Sequence, residues 1–226
     1  SHAGTAGGDY TEGNAWQYTW HVQQDIAGLT ELMGGTDKMI MKLDSLFVIE
    51  QSTDQTGFVG DVTGLIGQYA HGNEPSHHVI YMYTLLGKND RTAELVREVF
   101  DRFYLPKPDG LCGNDDCGQM SAWYIFSALG FYPVNPAEGI YILGKPMVEK
   151  AEISIGDKPF KVKTVGWSDE NIYVQSVKLN GRAYNKLFIT HADIVNGGTL
   201  EFTMSSVPGN FKHAILPPSI SETLNE

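Results

Sequence analysis

Acidic side chains stand at three places where a loop leads into a helical run. Asp115 and Asp116 lie in a glycine-rich turn before an apolar helical pattern, and Glu12 and Glu74 occupy similar junctions nearer the N-terminus. Carboxylates at such junctions project past a helix N-terminus, where free N–H groups and the helix dipole favour negative charge. One carboxylic acid that protonates a leaving oxygen, opposite a carboxylate that activates water, is the machinery of glycoside hydrolysis. The residue types therefore favour an acid–base site built from three loops.

The residues around these junctions suit a sugar and a hard cation. Aromatic rings, which stack on the C–H faces of sugars, cluster beside the loops at Trp16, Tyr18, Trp20, Trp123 and Tyr124. Asn73, Glu74 and Asn114 offer oxygen ligands, which suit calcium better than zinc. The histidines at 71, 77 and 78 match no zinc-binding spacing.

The first part of the chain has helical periodicity as far as about residue 130. The pattern predicts five helices, over residues 15–32, 39–47, 76–86, 91–104 and 119–129. If successive helices run antiparallel, the first, third and fifth are parallel and their acidic N-terminal loops meet at one end. The second and fourth helices would then form an outer layer. Such an alternation of inner and outer helices is typical of an (α/α) toroid, and five helices would form an open half of one.

From about residue 138 the pattern changes to short alternating runs. Strands are predicted at 140–143, 151–155, 160–165, 172–179, 186–190 and 199–204. We expect an antiparallel sheet that forms one layer of a sandwich. The fold class is thus α+β, with a helical toroid portion over 1–137 that carries the acidic loops and an antiparallel β portion over 138–226.

Composition argues against some classes of partner but does not determine the chemical state of the two cysteines. The 226 residues carry a net charge of −11, which argues against nucleic acid, and no apolar run is long enough to span a bilayer. No signal-peptide pattern stands at residue 1. Cys112 and Cys117 flank the Asp pair and could form a disulfide, contribute to a metal site or remain free thiols.

Four stretches give the chain a resemblance to a known family. They are EGNAWQYTW at 12–20, DVTGLIGQYAHGNEPSHH at 61–78, GNDDCGQMSAWY at 113–124 and GFYPVNP at 130–136. Here the chain resembles the C-terminal part of glycoside hydrolase family 92, the calcium-dependent exo-α-mannosidases. The resemblance implies an (α/α)6 barrel packed on a β-sandwich, with the C-terminal strands completing the β part.

The resemblance also implies roles for individual residues. Family members invert configuration by a single displacement with water, so Glu12 would match the general acid and Asp116 the general base, with Asp115 as its neighbour. Calcium in the family contacts hydroxyls of the terminal mannose and helps to distort its ring, and we place it near Asn73 and Glu74. The expected sugar contacts are Trp16, His77, Gln119 and Trp123.

The remaining implications concern substrate, partners and location. The resemblance implies terminal α-mannosides of glycans as substrate and a periplasmic or secreted protein. Members with α-1,2 specificity carry a His-Glu pair where this chain has Val59-Gly60. Because the family's N-terminal β domain and first half-barrel are missing, we expect a C-terminal fragment that partners the missing half or a second copy. The alternatives are a non-catalytic carbohydrate- or calcium-binding remnant and a purely structural module whose acids cap helices.

Overall fold

The computed structural model describes residues 10–50, 62–155 and 157–223. Its helices are α1 (Ala15–Tyr18), α2 (Ile26–Leu32), α3 (Thr36–Val48), α4 (Val79–Leu85), α5 (Asn89–Phe103), α6 (Gln119–Leu129), α7 (His191–Val195) and α8 (Ile220–Thr223). Its strands are β1 (Leu65–Ile66), β2 (Tyr69–Ala70), β3 (Phe131–Tyr132), β4 (Ile140–Leu143), β5 (Lys150–Ile153), β6 (Phe160–Val165), β7 (Tyr173–Leu179), β8 (Arg182–Ala183), β9 (Phe188–Thr190) and β10 (Gly198–Ser205). This mixture of helices and sheets confirms the α+β class.

The chain forms two compact units that interleave along the sequence. The first contains Ser1–Val79, Val99–Ala122 and Ser219–Glu226, and the second contains Ile80–Glu98 and Trp123–Pro218. Helices α4, α5 and α6 therefore contribute residues to both units. The division into domains at 137 and 138 stays a prediction, because compactness alone does not show which parts fold independently.

The predicted first helix, over 15–32, is wrong as a single element. Helix α1 ends at Tyr18 and α2 begins at Ile26, with an irregular turn between them. Tertiary contacts break the helix here, because the Trp20 carbonyl accepts a hydrogen bond from His78 Nε2 at 2.7 Å. Asp25 then caps the new helix by accepting from the Gly28 N–H at 3.0 Å. A 3₁₀ turn over Glu74–Ser76 likewise delays α4 to Val79, three residues after the predicted start.

The first unit fixes the start of α1 through a buried amide network. The Asn14 side chain accepts from the Trp16 N–H at 2.8 Å, and Gln17 Oε1 accepts from the Asn14 N–H at 2.6 Å. The Asn14 side chain also accepts from the backbone of Gln17, which completes a capping box with Gln17. Asn14 Nδ2 also donates to Gln68 Oε1 at 3.0 Å, which ties the helix start to the β1–β2 hairpin. The chain that carries Glu12 is thereby held against the hairpin.

The C-terminal segment returns to the first unit and closes on α2. Ser221 Oγ donates to Asp25 Oδ1 at 2.7 Å, and the Ala27 N–H donates to Ser219 Oγ at 3.1 Å. The same Asp25 carboxylate caps α2, so the hydrogen bonds from Ser221 and Gly28 lower the pKa of Asp25. Gly28, near the N-terminus, and Ser221, near the C-terminus, thus donate hydrogen bonds to the same Asp25 carboxylate.

The second unit contains two sheets that share a core. One has the order β5-β6-β10-β7-β8 and the other β3-β4-β9. All the described pairings in these two sheets are antiparallel except β6 with β10, which is parallel. The prediction of a wholly antiparallel sheet is wrong at this pair. A parallel partner needs a long crossover, and here β7, β8, β9 and α7 lie between the two strands.

The alternation that predicted the strands also fills this core. On β6 the side chains of Phe160, Val162 and Thr164 are buried while those between them are exposed. The buried cluster draws on both sheets, with Phe131 from β3, Ile189 from β9 and Phe202 from β10 among its members. No helix in the described part of the chain is long and apolar enough to cross a membrane.

Candidate active site

Four polar side chains from three loops of the first unit meet in one cluster. Asn73 Nδ2 donates to Glu12 Oε2 at 3.0 Å. The side chain of Glu74, the next residue, lies next to that of Asp116. Glu12, Glu74 and Asp116 each stand at one of the three acidic junctions, so the structure brings all three loops together.

The carboxyl groups of this cluster influence one another. Burial raises the pKa of Glu74, and the neighbouring carboxyl group of Asp116 and the negative charge of Glu12 act in the same direction. A backbone hydrogen bond opposes the shift. The structure therefore groups three acidic side chains closely enough for their charges to interact.

The two neighbouring aspartates have different surroundings. Asp115 Oδ1 accepts from the Ser121 N–H at 3.0 Å and from Ser121 Oγ at 2.8 Å, which caps α6. Asp116 instead faces Glu74. The backbone makes this possible by adopting positive φ at Asp116 (45°), Cys117 (55°) and Gly118 (95°) in succession. A run of left-handed residues that includes a cysteine is strained, and such strain is concentrated at functional sites.

His77 and Gln119 form a fixed pair in the same unit. The Nε2 atom of His77 lies 2.9 Å from the His71 carbonyl, and Gln119 Nε2 lies 3.3 Å from His77 Nδ1. Burial lowers the pKa of His77 to about 4, although the charge of Asp116 opposes the shift. A neutral imidazole that donates through Nε2 and accepts through Nδ1 satisfies both contacts. His77 therefore orients the Gln119 amide rather than carrying charge.

The two tryptophans predicted to contact sugar differ in position. Trp16 is half-buried, and Lys42 Nζ lies 3.6 Å from its ring centroid in a cation–π contact. Trp123 belongs to the second unit, where it is fully buried and its ring centroid lies 6.5 Å from that of Tyr132. The structure thus groups Trp16, but not Trp123, in the unit that holds the carboxylates.

A buried histidine braces the loop that carries Asn73 and Glu74. His71 Nδ1 lies 2.8 Å from the Tyr69 hydroxyl, and its Nε2 lies 2.8 Å from the Tyr104 hydroxyl. Tyr104 in turn donates to the Met120 carbonyl on α6 at 2.9 Å. Burial lowers the pKa of His71 well below its usual range, so this chain of hydrogen bonds runs through a neutral ring.

Sequence reasoning missed one residue that joins the loops. Thr63 pairs with Gly72 through the backbone, with the Gly72 N–H donating to the Thr63 carbonyl at 3.0 Å. Its hydroxyl occupies the space that a Cβ on Gly72 would need, and a Cβ on Gly113 would lie 2.6 Å from the same oxygen. The segments that lead to Glu74 and Asp116 can therefore both approach Thr63 only because they carry glycine there. Gly72 and Gly113 were the features of the sequence that could have indicated this close packing.

The cysteines beside this junction are free thiols. Cys112 is half-buried and Cys117 is exposed. Burial raises the pKa of the Cys112 thiol, and a Cβ on Gly64 would lie 2.5 Å from its sulfur. Cys112 therefore acts here as a packing residue. The sequence position tied to linkage specificity, Val59-Gly60, lies outside the described residues.

The proposed calcium ligands fit the ion in kind but not in number. Asn73 and Glu74 supply amide and carboxylate oxygens, which calcium prefers, and the ion takes roughly six to eight of them. In residues 10–50, 62–155 and 157–223, no group of three or more His, Cys, Asp or Glu side chains is arranged to hold a metal. Further ligands would have to come from residues outside these ranges, from water or from sugar hydroxyls.

A comparison with protein families decides the affiliation of the chain. Residues 1–206 match the sequence profile of the glycosyl hydrolase family 92 catalytic domain. The chain belongs to family 92. A curated relative, an uncharacterized secreted glycosidase of Arthroderma benhamiae, is 29% identical over 197 residues, which are 85% of this chain and 23% of that protein.

Solved structures of family 92 share the fold. A family α-mannosidase from Bacteroides thetaiotaomicron in complex with mannoimidazole is 43% identical with a TM-score of 0.88, and the match covers 94% of this chain and 28% of that one. An inverting mannosidase from the same organism is 37% identical with a TM-score of 0.82, covering 98% of this chain and 32% of that one. This family 92 chain therefore spans less than a third of the length of these relatives.

Proposed function

We propose that this chain carries the acid and the base of a calcium-dependent, inverting exo-α-mannosidase that releases terminal mannose from glycans. The observation that carries the proposal is the cluster in which Asn73 donates a hydrogen bond to Glu12 while Glu74 lies next to Asp116. Support comes from the mannosidase relatives, one of which is described as inverting. The two carboxyl groups with predicted roles reach the cluster from separate loops, as an acid and a base on opposite faces of a sugar require.

The proposed reaction is a single displacement at the anomeric carbon. Glu12 gives its proton to the glycosidic oxygen as the bond from that oxygen to the anomeric carbon breaks. Water attacks the same carbon from the opposite face, and its proton passes to Asp116. The product sugar leaves with inverted configuration, and one proton has moved from the acid to the base.

The neighbouring residues prepare these two groups. Glu74 lies next to Asp116, the proposed base. Asp115 stabilises the start of α6 beside the base. Asn73 orients Glu12, and the pair of His77 and Gln119 offers a fixed amide to a sugar hydroxyl, with Trp16 as the proposed aromatic contact.

Calcium and the rest of the protein complete the proposal. Bound near Asn73 and Glu74, calcium would polarise and orient hydroxyls of the terminal mannose. We assign the helices to half of an (α/α)6 toroid and the strands to a β-sandwich, completed by an N-terminal half or a second copy. The secreted relative supports a secreted or periplasmic location. The competing proposal is a binding module without turnover.

Two substrates whose leaving groups differ in their need for a proton test the roles of Glu12 and Asp116. On α-linked mannobiose, whose leaving group needs a proton, we expect Glu12→Gln to lower kcat/KM by about 10²- to 10⁴-fold. On a dinitrophenyl α-mannoside, which leaves unaided, the same variant should lose far less. Asp116→Asn should lose similar amounts on both, and Asp115→Asn is the matched control for a change in the same turn.

The outcomes separate the proposals. Equal losses for Glu12→Gln on both substrates would refute its role as the acid, and retained turnover in Asp116→Asn would refute the base. If the chain alone turns over neither substrate, the test is repeated after it replaces the equivalent segment of the 43% identical mannosidase. Continued inactivity there, with mannose binding detected by NMR, would favour the binding module.

A further inference from the structure

The second unit contains a cleft far along the chain from the carboxylates. It has a volume of about 670 Å³ and lies between the β7–β8 hairpin and the segment 209–214. This volume is within the usual range for small-molecule sites, roughly 300–1,000 Å³. Neither the sequence motifs nor the proposed reaction uses any of its residues.

The walls of the cleft are built from fixed backbone. The Tyr184 N–H donates to the Val177 carbonyl at 2.9 Å, and the Ile215 N–H donates to the Asn185 carbonyl at 2.8 Å. Gly209 lies so close to the strand that a Cβ there would be 2.5 Å from the Val174 carbonyl oxygen. The cleft is therefore preformed, which lowers the entropic cost of binding a ligand.

The lining combines aromatic rings with amide side chains. Tyr184 and Phe211 are half-buried, and the Tyr184 hydroxyl donates to the Phe188 carbonyl at 3.0 Å, which fixes its ring. Gln175 and Asn185 line the same cleft, are exposed and make no side-chain hydrogen bond within the described part of the chain. An amide both donates and accepts, which is the pattern that adjacent sugar hydroxyls require.

The lining is also free of permanent charge. None of its residues is Asp, Glu, Lys or Arg, in a chain where 19% of residues are charged. A neighbouring cleft across the 209–214 segment is different, since Lys88, Asp90 and Lys212 line it. Charged ligands should therefore prefer the neighbouring cleft, and a neutral ligand suits this one.

We propose that the cleft between the β7–β8 hairpin and residues 209–214 is a second carbohydrate site, which binds a neutral mono- or disaccharide. The sugar's C–H face rests against Tyr184 and Phe211, and its hydroxyls bond the amides of Gln175, Asn185 and Asn210. The site would hold a glycan without cleaving it, because no carboxyl group lines it. This proposal does not depend on the mannosidase assignment.

NMR of the whole chain tests the site directly, because side-chain amides give resolved signals. We expect α-linked mannobiose to shift the Gln175, Asn185 and Asn210 side-chain signals with a dissociation constant on the order of 1–10 mM. The double variant Gln175→Ala, Asn185→Ala changes two exposed residues and should weaken binding about tenfold with an otherwise unchanged spectrum. Lys88→Ala in the charged cleft is the matched control and should bind as before.

Two controls show whether the amide shifts report on binding to this cleft. Mannitol carries similar hydroxyls without a ring face, so it should shift these signals much less than mannobiose. Glu12→Gln should leave the titration unchanged, which separates this site from the carboxylate cluster. Absent amide shifts, an equal response to mannitol or unchanged affinity in the double variant would each overturn the proposal.

Discussion

At the scale of single residues, backbone conformation separates two adjacent aspartates that the sequence presents as equivalent. Asp115 caps a helix, while Asp116 reaches Glu74 because three successive residues adopt positive φ. Aspartate tolerates this conformation and glycine prefers it, but cysteine does not. The turn that places the proposed base is therefore unfavourable at Cys117.

This strain predicts that Cys117→Gly stabilises the protein. Glycine relieves the left-handed conformation at φ 55°, partly offset by its greater freedom when unfolded, so we expect a net gain of about 0.5–1 kcal/mol. Cys117→Val should instead destabilise it by about 1 kcal/mol or more, because a β-branched residue fits this region worst. Urea denaturation of both variants measures their free energies of unfolding. A destabilised Cys117→Gly would show that the thiol makes a contact that outweighs the strain.

Buried histidines predict a loss of stability in mild acid. Burial lowers the pKa values of His77 and His78 to about 4 from the ordinary 6.5. Below pH 6.5 the unfolded chain therefore binds protons that the folded chain does not, so stability falls as pH decreases from 6.5 towards 4. Urea midpoints between pH 7 and 4.5 should show this slope. His78→Gln should make it shallower, because it removes one of these proton-binding groups.

At the scale of elements, the acidic loops are held by close packing around Thr63. Gly72 approaches its hydroxyl so closely that no side chain fits, and Gly113 approaches from another segment. Gly72 does not adopt the left-handed conformation that favours glycine, so its requirement is one of space alone.

We therefore expect Gly72→Ala to destabilise the protein by about 1–3 kcal/mol through overpacking. Thr63→Ala in the same chain should restore much of that loss, because it removes the hydroxyl that the new methyl group would meet. Thermal denaturation of the two single variants and the double variant gives the coupling. Additive losses, without recovery in the double variant, would mean that Thr63 is not the obstacle.

Local patterns predicted the elements well where neighbouring residues decide the outcome. The strand predicted at 160–165 is β6 with the expected burial alternation, and the helix predicted at 119–129 is α6. The break after Tyr18 was not predictable, since it depends on His78, which is remote in sequence. The parallel pairing of β6 and β10 was missed for the same reason, because turn signals report only on hairpins between consecutive strands.

The sequence was informative about the carboxylates and less so about what surrounds them. The order of junctions and helices predicted that Glu12, Glu74 and Asp116 would lie together, and the structure places them in one cluster. Which aspartate of the pair faces Glu74 depends on φ values that residue identity does not fix. The contribution of Thr63 could not be predicted, because glycine requirements appear only when two loops are packed together.

At the scale of the whole molecule, the proposed calcium site would draw two oxygen donors from Asn73 and Glu74, and the ion takes roughly six to eight. We expect calcium to raise the melting temperature of the isolated chain only slightly, because few ligands give weak binding and stabilisation grows with ligand concentration relative to Kd. Adding a terminal mannoside, whose hydroxyls complete the shell, should increase the shift. Calorimetry with calcium, with mannoside and with both checks this. Purely additive effects would argue against a shared site.

The return of the C-terminal segment to α2 has a consequence for synthesis on the ribosome. The first unit contains the earliest residues and also Ser219 and Ser221, whose hydroxyls bond α2. Ribosomes synthesise chains at about 5–20 residues per second. Ser219 and Ser221 are therefore available to α2 only when nearly all of this sequence has left the exit tunnel. The second unit, by contrast, has all its strands by Pro218. The hydrogen bonds that Ser219 and Ser221 make at the start of α2 therefore form only after every described strand of the second unit has been synthesised.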